Sequence, residues 1–493
     1  MEQTRPPAGE IAIFFSIVDG ERREAASGER LEVISPSDGQ VFATIPRGCG
    51  RDIDTAVGAA RRAFEAGPWP GLAASERGRL LMRLSRLVEE HATELAALES
   101  RDTGKPISQG RADMVALARY FEFYGGAADK LMGETIPIST GYTALTIREP
   151  LGVVASIVPW NYPAQILGRV AGAALATGNT LVVKPAEDAC LSVIRVAELA
   201  LEAGFPAGVF NVVTGLGAEA GAALAGHPGI DYVTFTGSPE VGTLVQQAAA
   251  ANHVGCTLEL GGKSPQVVFA DADLDAAVPV LVKAIIQNAG QTCSAGSRIL
   301  VERRIYDEVV ARLAERFRGL VAGPHDADLD LGPLVSMKQR ARVAAHVAGA
   351  TAEGIPVAAR GTIAANAPAT GAYHEAVLFA PVPPSARIWR EEVFGPVLCV
   401  TPFDDEREAI GLANATPYGL VAGVWTADGA RQLRCARAIR AGQVFVNGYG
   451  AGGGVELPFG GFKRSGHGRE KGFEALYEFT ATKTIVTTHG LTP

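Results

Sequence analysis

The chain has 493 residues, of which 47% are hydrophobic and 20% charged, and its formal net charge is −8. This composition excludes a disordered chain, and the length predicts more than one domain. The negative charge disfavours nucleic acid as a partner, because a nucleic-acid-binding face must be basic, and no run of about 18 apolar residues predicts a membrane-spanning helix.

The six cysteines and eight histidines are scattered along the chain. Neither CxxC nor HExxH spacing occurs, so we expect no metal site and no disulfide framework. The N-terminal sequence has no apolar run long enough for a signal peptide core. Together with the low cysteine content, this predicts a cytoplasmic protein.

The N-terminal 50 residues read as short strands and turns, and three helices follow. The first begins near Asp52, the second is expected as one continuous amphipathic helix from Glu76 to Leu98, and the third covers Ser108 to Leu131. Between Glu134 and Arg148 apolar residues alternate at the period of a strand. This segment predicts a hairpin, either at an oligomer interface or on an ordinary surface.

From residue 151 onward, apolar β runs alternate with helical segments, which is typical of parallel sheets covered by helices on both faces. A second alternating region covers residues 270–446. The usual dinucleotide fingerprint GxGxxG is missing from residues 151–269. The best substitute follows the β run ending at Phe235, where Gly237 and Ser238 precede a helix beginning at Pro239, and such a helix start can hold a phosphate.

Two side chains suggest chemistry on a carbonyl group. Cys293 lies in the small polar loop GQTCSAG at 290–296, and Glu259 ends a β run. A thiol and a carboxylate that met across one cleft would supply a nucleophile and a base. Neither residue is decisive alone, since most single cysteines are small buried hydrophobes and Glu259 could be a surface carboxylate.

The pattern becomes specific when seven motifs are taken together. In chain order they are PWNYP at 159–163, VKPAE at 183–187, FTGS at 235–238, ELGGKSP at 259–265, GQTC at 290–293, EEVFGPV at 391–397 and PFGG at 458–461. In this order the chain resembles the NAD(P)-dependent aldehyde dehydrogenase superfamily over nearly its whole length. The resemblance is to the non-acylating members, such as betaine-aldehyde and general aldehyde dehydrogenases.

This resemblance implies an α/β fold with two Rossmann-like α/β domains and a β oligomerisation arm. The expected NAD-binding domain comprises residues 1–128 and 149–260, and the expected catalytic domain comprises 261–465. Residues 129–148 and 466–493 would form the arm, which implies a homodimer or homotetramer.

For catalysis, the resemblance assigns the nucleophile to Cys293, which would form a thiohemiacetal and then a thioester with an aldehyde substrate. Asn161 and the backbone N–H of Cys293 would hold the oxyanion. Glu259 would activate the water that releases the carboxylic acid. Glu470 corresponds to a residue that the family links to proton movement, but the lysine that usually accompanies it is replaced by Val170.

For the cofactor, the resemblance implies contacts to the adenosine ribose, the pyrophosphate and the nicotinamide riboside. The implied residues are Trp160, Lys184, Glu187, Gly237, Ser238, Glu392 and Phe394. A carboxylate at Glu187 would favour free ribose hydroxyls and repel a 2′-phosphate. The expected cofactor is therefore NAD, with NADP less favoured.

The substrate side departs from the family pattern at Arg169. In betaine-aldehyde members, the side chains around the substrate resemble an aromatic cage that suits a quaternary ammonium. Tyr162 and Phe459 could supply two walls here, but a fixed positive charge at Arg169 would repel that group. The substrate is therefore expected to be neutral, aromatic or carboxylate-bearing, unless Arg169 points away into a structural salt bridge.

Three alternatives stay open from the sequence. The first is a betaine- or aminoaldehyde dehydrogenase. The second is an acyl-CoA-forming enzyme, although members of that kind generally lack the carboxylate found here as Glu259. The third is a catalytically silent binding protein of the same fold, which the joint presence of Cys293, Asn161 and Glu259 disfavours.

Overall fold

A computed structural model describes residues 11–450 and 454–490, and the outermost ends of the expected first domain and arm lie outside this range. The α-helices are α1 (Gly50–Glu65), α2 (Ala74–Glu90), α3 (Ala92–Thr103), α4 (Ile107–Ala127), α5 (Pro163–Ala176), α6 (Leu191–Glu202), α7 (Ala222–Ala225), α8 (Pro239–Ala251), α9 (Leu274–Ile286), α10 (Tyr306–Arg318), α11 (Met337–Ala352), α12 (Arg387–Arg390), α13 (Glu406–Asn414), α14 (Gly429–Ala438) and α15 (Glu474–Glu478).

The strands form two large sheets and three small ones. They are β1 (Ala12–Ile13), β2 (Ser16–Val18), β3 (Glu21–Arg23), β4 (Arg30–Ile34), β5 (Val41–Pro46), β6 (Thr135–Ile136), β7 (Tyr142–Pro150), β8 (Val153–Val158), β9 (Thr180–Pro185), β10 (Phe210–Val212), β11 (Tyr232–Gly237), β12 (Gly255–Leu260), β13 (Pro265–Val268), β14 (Arg298–Glu302), β15 (Val321–Ala322), β16 (Val357–Arg360), β17 (Thr362–Ile363), β18 (Val377–Phe379), β19 (Val397–Phe403), β20 (Val421–Trp425), β21 (Gln443–Val446), β22 (Gly466–His467) and β23 (Thr480–Thr488).

The first large sheet has eight strands in the order β22-β12-β11-β8-β9-β10-β2-β3. Its five central strands, β12 to β10 in that order, are parallel, and antiparallel strands flank them on both sides. Along β9, Val182 packs into one core while Leu181 and Val183 pack into another on the opposite face. Burial on both faces explains why these strands are continuous apolar runs in the sequence.

The second large sheet has seven strands in the order β16-β18-β19-β14-β13-β20-β21. Its six strands from β18 to β21 are parallel, and only the edge strand β16 is antiparallel. Its own hydrophobic core includes α9, α10 and α11. The chain passes from the first sheet to the second through the short link between Leu260 and Pro265, which therefore lies where the two sheets meet.

One predicted helix is wrong. The continuous helix expected from Glu76 to Leu98 is divided at His91, whose φ of −97° and ψ of 11° end α2 and precede α3. The His91 ring lies 2.9 Å from the carboxylate of Glu94, which stabilises the start of the second helix. The apolar stripe continues across this break, so the hydrophobic period carried no sign of it.

The predicted hairpin and terminal strand lie together in one three-stranded sheet of order β23-β7-β6. β23 pairs antiparallel with β7 over its full length, from Thr480 opposite Pro150 to Thr488 opposite Tyr142. The terminal strand therefore has its partner within the same chain. Nearly all of β23 is exposed, including Ile485 and Val486, and no described strand pairs with its outer edge.

Among the described residues, no helix combines the length and apolarity needed to cross a bilayer. The same residues contain no cluster of three or more His, Cys, Asp or Glu side chains arranged to hold a metal ion.

Candidate active site

Cys293 lies half-buried in a loop that follows α9. A tight turn at residues 287–290 precedes it, in which Asn288 and Ala289 adopt left-handed φ angles of 49° and 51°. At Gly290, with φ of 75°, an added Cβ would lie 2.2 Å from the carbonyl oxygen of Gly395. Only glycine fits this close approach, so packing against Gly395 fixes the path of the chain toward Cys293.

Asn161 reaches the same loop from the first sheet. It follows β8 and is 4% exposed. Its side-chain amide donates to the carbonyl oxygen of Gln291 at 2.9 Å, and the Asn288 amide donates back to the Asn161 carbonyl oxygen at 2.9 Å. This reciprocal pair orients Asn161 next to the cysteine loop and leaves one of its two amide hydrogens for another acceptor.

Glu259 is the next-to-last residue of β12 and is 2% exposed. Neither carboxylate oxygen has a hydrogen-bond partner among the described residues. Three residues later, an added Cβ on Gly262 would lie 2.7 Å from the carbonyl oxygen of Cys293. The segment that carries the carboxylate therefore passes directly against the loop that carries the thiol, as the sequence had suggested.

Burial dominates the electrostatics of the two carboxylates. It raises the pKa of Glu259 well above its ordinary value, repulsion from Glu470 raises it further, and Arg169 and Arg469 offset this only in part. Burial also raises the pKa of Glu470, to about 6, against the lowering effect of Arg169 and Lys471. Both shifts favour the neutral form of each carboxyl group relative to an exposed one.

The thiol is also held in its neutral form. Burial raises the pKa of Cys293 to about 12, and the carboxyl groups of Glu392 and Glu259 add to this. Arg169 acts in the opposite direction and lowers it. A protonated thiol is a weak nucleophile, so attack requires that the proton be removed within the site.

Arg169 does not point away from the site. Its Nη1 lies 3.8 Å from a Glu470 carboxylate oxygen, its Nε donates to the Tyr120 hydroxyl at 3.3 Å, and its Cζ lies 5.1 Å from the centre of the Phe459 ring. Phe459 belongs to the apolar cluster against which Cys293 packs. Arg169, Glu470 and Phe459 are thus brought to the nucleophile together.

Tyr162 is more enclosed than an open pocket wall. It is 7% exposed, and its hydroxyl lies 3.1 Å from that of Thr292, the residue before Cys293. The Lys105 ammonium lies 4.4 Å from the centre of its ring. Tyr162 therefore fastens the nucleophile loop to the helical layer.

The expected adenosine-ribose residues form a pair at the carboxyl end of β9. Lys184 Nζ lies 2.8 Å from Glu187 Oε2, and the backbone N–H of Gly217 donates to Glu187 Oε1 at 3.3 Å. Burial opposes the ionisation of Glu187, but the lysine outweighs it and lowers the pKa of the carboxyl group.

The expected pyrophosphate residues lie at the end of the neighbouring strand β11. Ser238 caps α8, where its hydroxyl accepts from the Val241 N–H at 3.3 Å, and the buried hydroxyl of Thr236 has no partner among the described residues. At Gly237 an added Cβ would meet the Phe235 ring at 2.4 Å. The strand end therefore presents free polar groups and close backbone, the features that a phosphate requires.

Three further cofactor candidates lie between the two sheets. The rings of Trp160 and Phe394 meet edge to face, with centres 5.3 Å apart. Glu392 accepts from the Gly262 N–H at 3.0 Å, and burial raises its pKa to about 7 despite that bond. Glu392 is also close enough to Cys293 to raise the pKa of its thiol.

Comparison with known proteins now decides the family. The profile described as "Aldehyde dehydrogenase family" matches residues 23–485. The chain belongs to the aldehyde dehydrogenase family. This confirms the predicted superfamily, the predicted fold and the prediction of an enzyme.

Individual relatives of this aldehyde dehydrogenase match along its whole length. It is 40% identical to aldehyde dehydrogenase family 2 member C4 of Arabidopsis thaliana over 97% of this chain and 95% of that one. A crystal structure of a putative aldehyde dehydrogenase from Burkholderia cenocepacia has a TM-score of 0.95 and 65% identity, covering 97% of this chain and 100% of the other. An NAD+ complex of an aldehyde dehydrogenase from Bacillus cereus has a TM-score of 0.94 and 42% identity, covering 96% of both chains.

Sequence reasoning missed two residues that lie close to Cys293 or Phe459, namely Phe445 and Lys471. Phe445 and Tyr449 pack with Cys293 against Phe459, and the Tyr449 hydroxyl donates to the Ser294 carbonyl oxygen at 2.6 Å. Lys471 Nζ lies 5.8 Å from the centre of the Phe459 ring. Phe445 lies near the end of the parallel strand β21 and Tyr449 follows that strand, so the rule that ligands bind at the carboxyl ends of such strands could have found Phe445.

Proposed function

We propose that this chain oxidises an aldehyde to its carboxylic acid with NAD, through a covalent intermediate on Cys293 and a hydrolytic step supported by Glu259. The observation that carries the proposal is the apposition of the two segments, since a Cβ on Gly262 would lie 2.7 Å from the Cys293 carbonyl oxygen. No described residue donates a hydrogen bond to the buried Glu259 carboxylate, so this group remains available as a base next to the nucleophile loop.

In the first step the Cys293 thiol passes its proton to the ionised form of Glu259, and its sulfur bonds to the aldehyde carbon. The π electron pair of the carbonyl moves to oxygen and creates an oxyanion. The free amide hydrogen of Asn161 and the backbone N–H of Cys293 stabilise that charge. The bond from Asn161 to Gln291 supports this role, because it holds the amide in one orientation before substrate arrives.

Bound NAD would supply the acceptor for the hydride of the thiohemiacetal carbon, and Cys293 would then carry a thioester. After Glu259 has released the thiol proton to solvent, its carboxylate takes a proton from water as the water oxygen bonds to the thioester carbon. The carbon–sulfur bond breaks, the acid leaves and the Cys293 thiolate is restored. No described residue donates a hydrogen bond to the Glu259 carboxylate, which supports this role because its oxygens can accept from water.

The residues present fit NAD. The orphaned Thr236 hydroxyl and the Ser238 cap would receive the pyrophosphate together with Gly237. Lys184 and Glu187 would hold the adenosine ribose, Glu392 the nicotinamide ribose, and Trp160 and Phe394 would flank it. The ionised Glu187 carboxylate would repel a 2′-phosphate, so NAD is preferred to NADP.

The substrate is a neutral, aromatic or carboxylate-bearing aldehyde. The charge of Arg169, close enough to lower the pKa of Cys293, supports this, because it opposes a trimethylammonium group. The enclosure of Tyr162 supports the same conclusion, since its ring is already covered by the Lys105 ammonium. A betaine- or aminoaldehyde would meet no open aromatic cage, and the Arg169 charge would repel its cationic group.

We also propose that residues 129–148 and 466–493 form an oligomerisation arm on a molecule whose two other domains comprise 1–128 with 149–260 and 261–465. The open edge of β23 and its exposed apolar side chains support an assembly of two or four copies. Long flat edge strands of this kind are usually covered by a partner.

An absorbance assay for NADH with an aldehyde panel tests the activity. Wild type is expected to reduce NAD with at least one aldehyde, and Cys293→Ala is expected to be inactive with all. Glu259→Gln is expected to release about one NADH per site and then stall, because the thioester forms but is not hydrolysed. Steady turnover by Cys293→Ala would sink the covalent mechanism.

A further inference from the structure

The nucleophile lies inside a tight turn of the backbone. The N–H of Ala295 donates to the carbonyl oxygen of Thr292 at 2.9 Å, and this hydrogen bond closes the turn around Cys293. A trans peptide group is planar, and its carbonyl and its N–H point in opposite directions. The Thr292 carbonyl points into the turn, so the N–H of Cys293, in the same peptide group, points out of it.

The hydroxyl of Tyr449 fixes the other peptide group that takes part in closing this turn. It donates to the carbonyl oxygen of Ser294 at 2.6 Å, and that carbonyl shares one peptide plane with the N–H of Ala295. Burial raises the pKa of Tyr449, so the hydroxyl keeps its proton and remains a donor. One side-chain hydrogen bond therefore holds the plane whose opposite end closes the turn.

The Tyr449 ring is itself held from two sides. An added Cβ on Gly423 of β20 would lie 3.3 Å from its Cδ2 atom, so the ring rests on the backbone of that strand. The ring of Phe445 meets it edge to face, with centres 5.8 Å apart. Because the ring is already packed, its hydroxyl can orient a carbonyl group with little further loss of side-chain entropy.

The two large sheets hold the nucleophile loop at different carbonyl groups. Asn161, which follows a strand of the first sheet, donates to the Gln291 carbonyl oxygen on one side of the thiol. Tyr449, which follows a strand of the second sheet, donates to the Ser294 carbonyl oxygen on the other side. The hydroxyl hydrogen of Tyr449 is used in this bond, so any effect of the residue on the reaction passes through the backbone.

We propose that the Tyr449 hydroxyl positions the backbone N–H of Cys293 as a donor to the oxyanion. The effect passes from the Ser294–Ala295 peptide group to the Thr292–Cys293 peptide group through the hydrogen bond that closes the turn. This role rests on the proposed function, in which an oxyanion forms at Cys293. Tyr449 is a positioning residue, so it should matter for reactions of the thiol that create an oxyanion and not for other reactions of the same thiol.

Two reagents separate these kinds of reaction without NAD or an aldehyde. With p-nitrophenyl acetate the Cys293 sulfur bonds to the carbonyl carbon, an oxyanion forms and collapses, and p-nitrophenolate leaves. With iodoacetamide the sulfur displaces iodide from a methylene carbon, and no oxyanion forms. In Tyr449→Phe the acylation rate should fall about tenfold, because the donor is misaligned but not removed, while the alkylation rate changes little.

Nitrophenolate absorbance, corrected with Cys293→Ala, measures acylation, and peptide mass spectrometry measures alkylation. The matched control is Tyr373→Phe, which also removes a hydroxyl that donates to a carbonyl oxygen at 2.6 Å, that of Ser37, outside the nucleophile loop. Both rates should stay at the wild-type value in this variant. Acylation and alkylation that fall by the same factor in Tyr449→Phe, or an unchanged acylation rate, would overturn the proposed role.

Turnover of an aldehyde provides an independent readout. In Tyr449→Phe we expect kcat to fall about tenfold while KM changes little, as for an interaction that acts mainly in the transition state. If no aldehyde yields NADH but acylation falls selectively, the proposed function fails and the positioning role stands. If wild type oxidises aldehydes and Tyr449→Phe is acylated at the wild-type rate, only the positioning role fails.

Discussion

The side-chain amide of Asn161 donates to the carbonyl oxygen of Gln291 at 2.9 Å, two residues before Cys293. One amide hydrogen thus fixes the orientation while the other can meet an oxyanion. Replacing Asn161 by Ala should lower kcat by about 10² to 10³, the range found when one oxyanion donor is removed. Steady-state kinetics with a saturating aldehyde measure this loss.

The comparison variant for this position is Thr292→Val, which removes the hydroxyl that lies 3.1 Å from the Tyr162 hydroxyl but no oxyanion donor. It should affect kcat far less than Asn161→Ala. Equal losses in both variants would mean that Asn161 acts by holding the loop alone.

The pH dependence of kcat/KM should reflect Glu259 and Cys293, the two groups of the site that must lose a proton. The pKa of Glu259 is raised, and that of Cys293 is raised to about 12, so both lose protons as the pH rises and log(kcat/KM) should climb from pH 6 past pH 8. Benzaldehyde is a suitable substrate because it does not ionise. A flat profile between pH 6 and pH 9 would contradict this assignment.

Glu470→Gln should move that rising limb to lower pH. The negative charge of Glu470 raises the pKa of Glu259, so its removal lowers that pKa and lets Glu259 ionise earlier. Comparing the two profiles isolates the coupling between the carboxylates. A shift toward higher pH would show that Glu470 supports catalysis in another way.

Glu187 should control the choice of cofactor. With Glu187→Gln the repulsion of a 2′-phosphate disappears, and the KM for NADP should fall by roughly tenfold while that for NAD rises because the ribose loses an acceptor. The neighbouring exposed carboxylate gives the matched control, Asp188→Asn, with the same change of charge. A similar change of the KM for NADP in both variants would show that the effect comes from the overall negative charge and not from Glu187 itself.

The buried cation beneath Tyr162 should be essential for stability. Lys105 is fully buried, lies 3.1 Å from Glu99 and also pairs with Asp113. Lys105→Met leaves both carboxylates buried without their cation and should lower the free energy of unfolding by about 3 to 5 kcal/mol. Urea denaturation measures it, and adding Asp113→Asn should recover part of the loss.

The arm should determine the oligomeric state. Ile485→Asp and Val486→Asp place charges on the exposed face and edge of β23, where the two side chains are 40% and 55% exposed. Light scattering after size exclusion should show a smaller species than wild type. Lys483→Asp, which changes charge on the same strand without removing an apolar side chain, is the comparison. Unchanged mass in the apolar variants would exclude β23 from the interface.

The parts of the fold that were predictable from sequence are those dictated by local burial. β8 and β9 are buried on both faces and therefore appear as continuous apolar runs, and the expected α/β alternation is confirmed. The break at His91 was missed because side chains on both sides of it continue the same stripe. When a helix ends because of its backbone angles alone, the spacing of apolar residues in the sequence does not change.

The site shows the same division. Cys293, Asn161 and Glu259 each lie in a motif that can be read locally, and the structure brings their segments together. Lys471 could not be found in this way, since it reaches the site only because Glu470 and Phe459 exchange backbone hydrogen bonds at 2.6 and 2.8 Å. When a distant segment folds back onto the site, no local sequence pattern shows that its residues will lie there.

That returning segment also sets the order in which the enzyme is completed. β22, Phe459 and Glu470 come from the C-terminal part of the chain, yet β22 pairs with β12 beside Glu259 itself. A ribosome therefore releases the thiol and its base well before the walls that enclose them. A polypeptide that ends before these residues would carry the cysteine without its pocket, and the reactive centre is complete only after residues 459–470 have been synthesised.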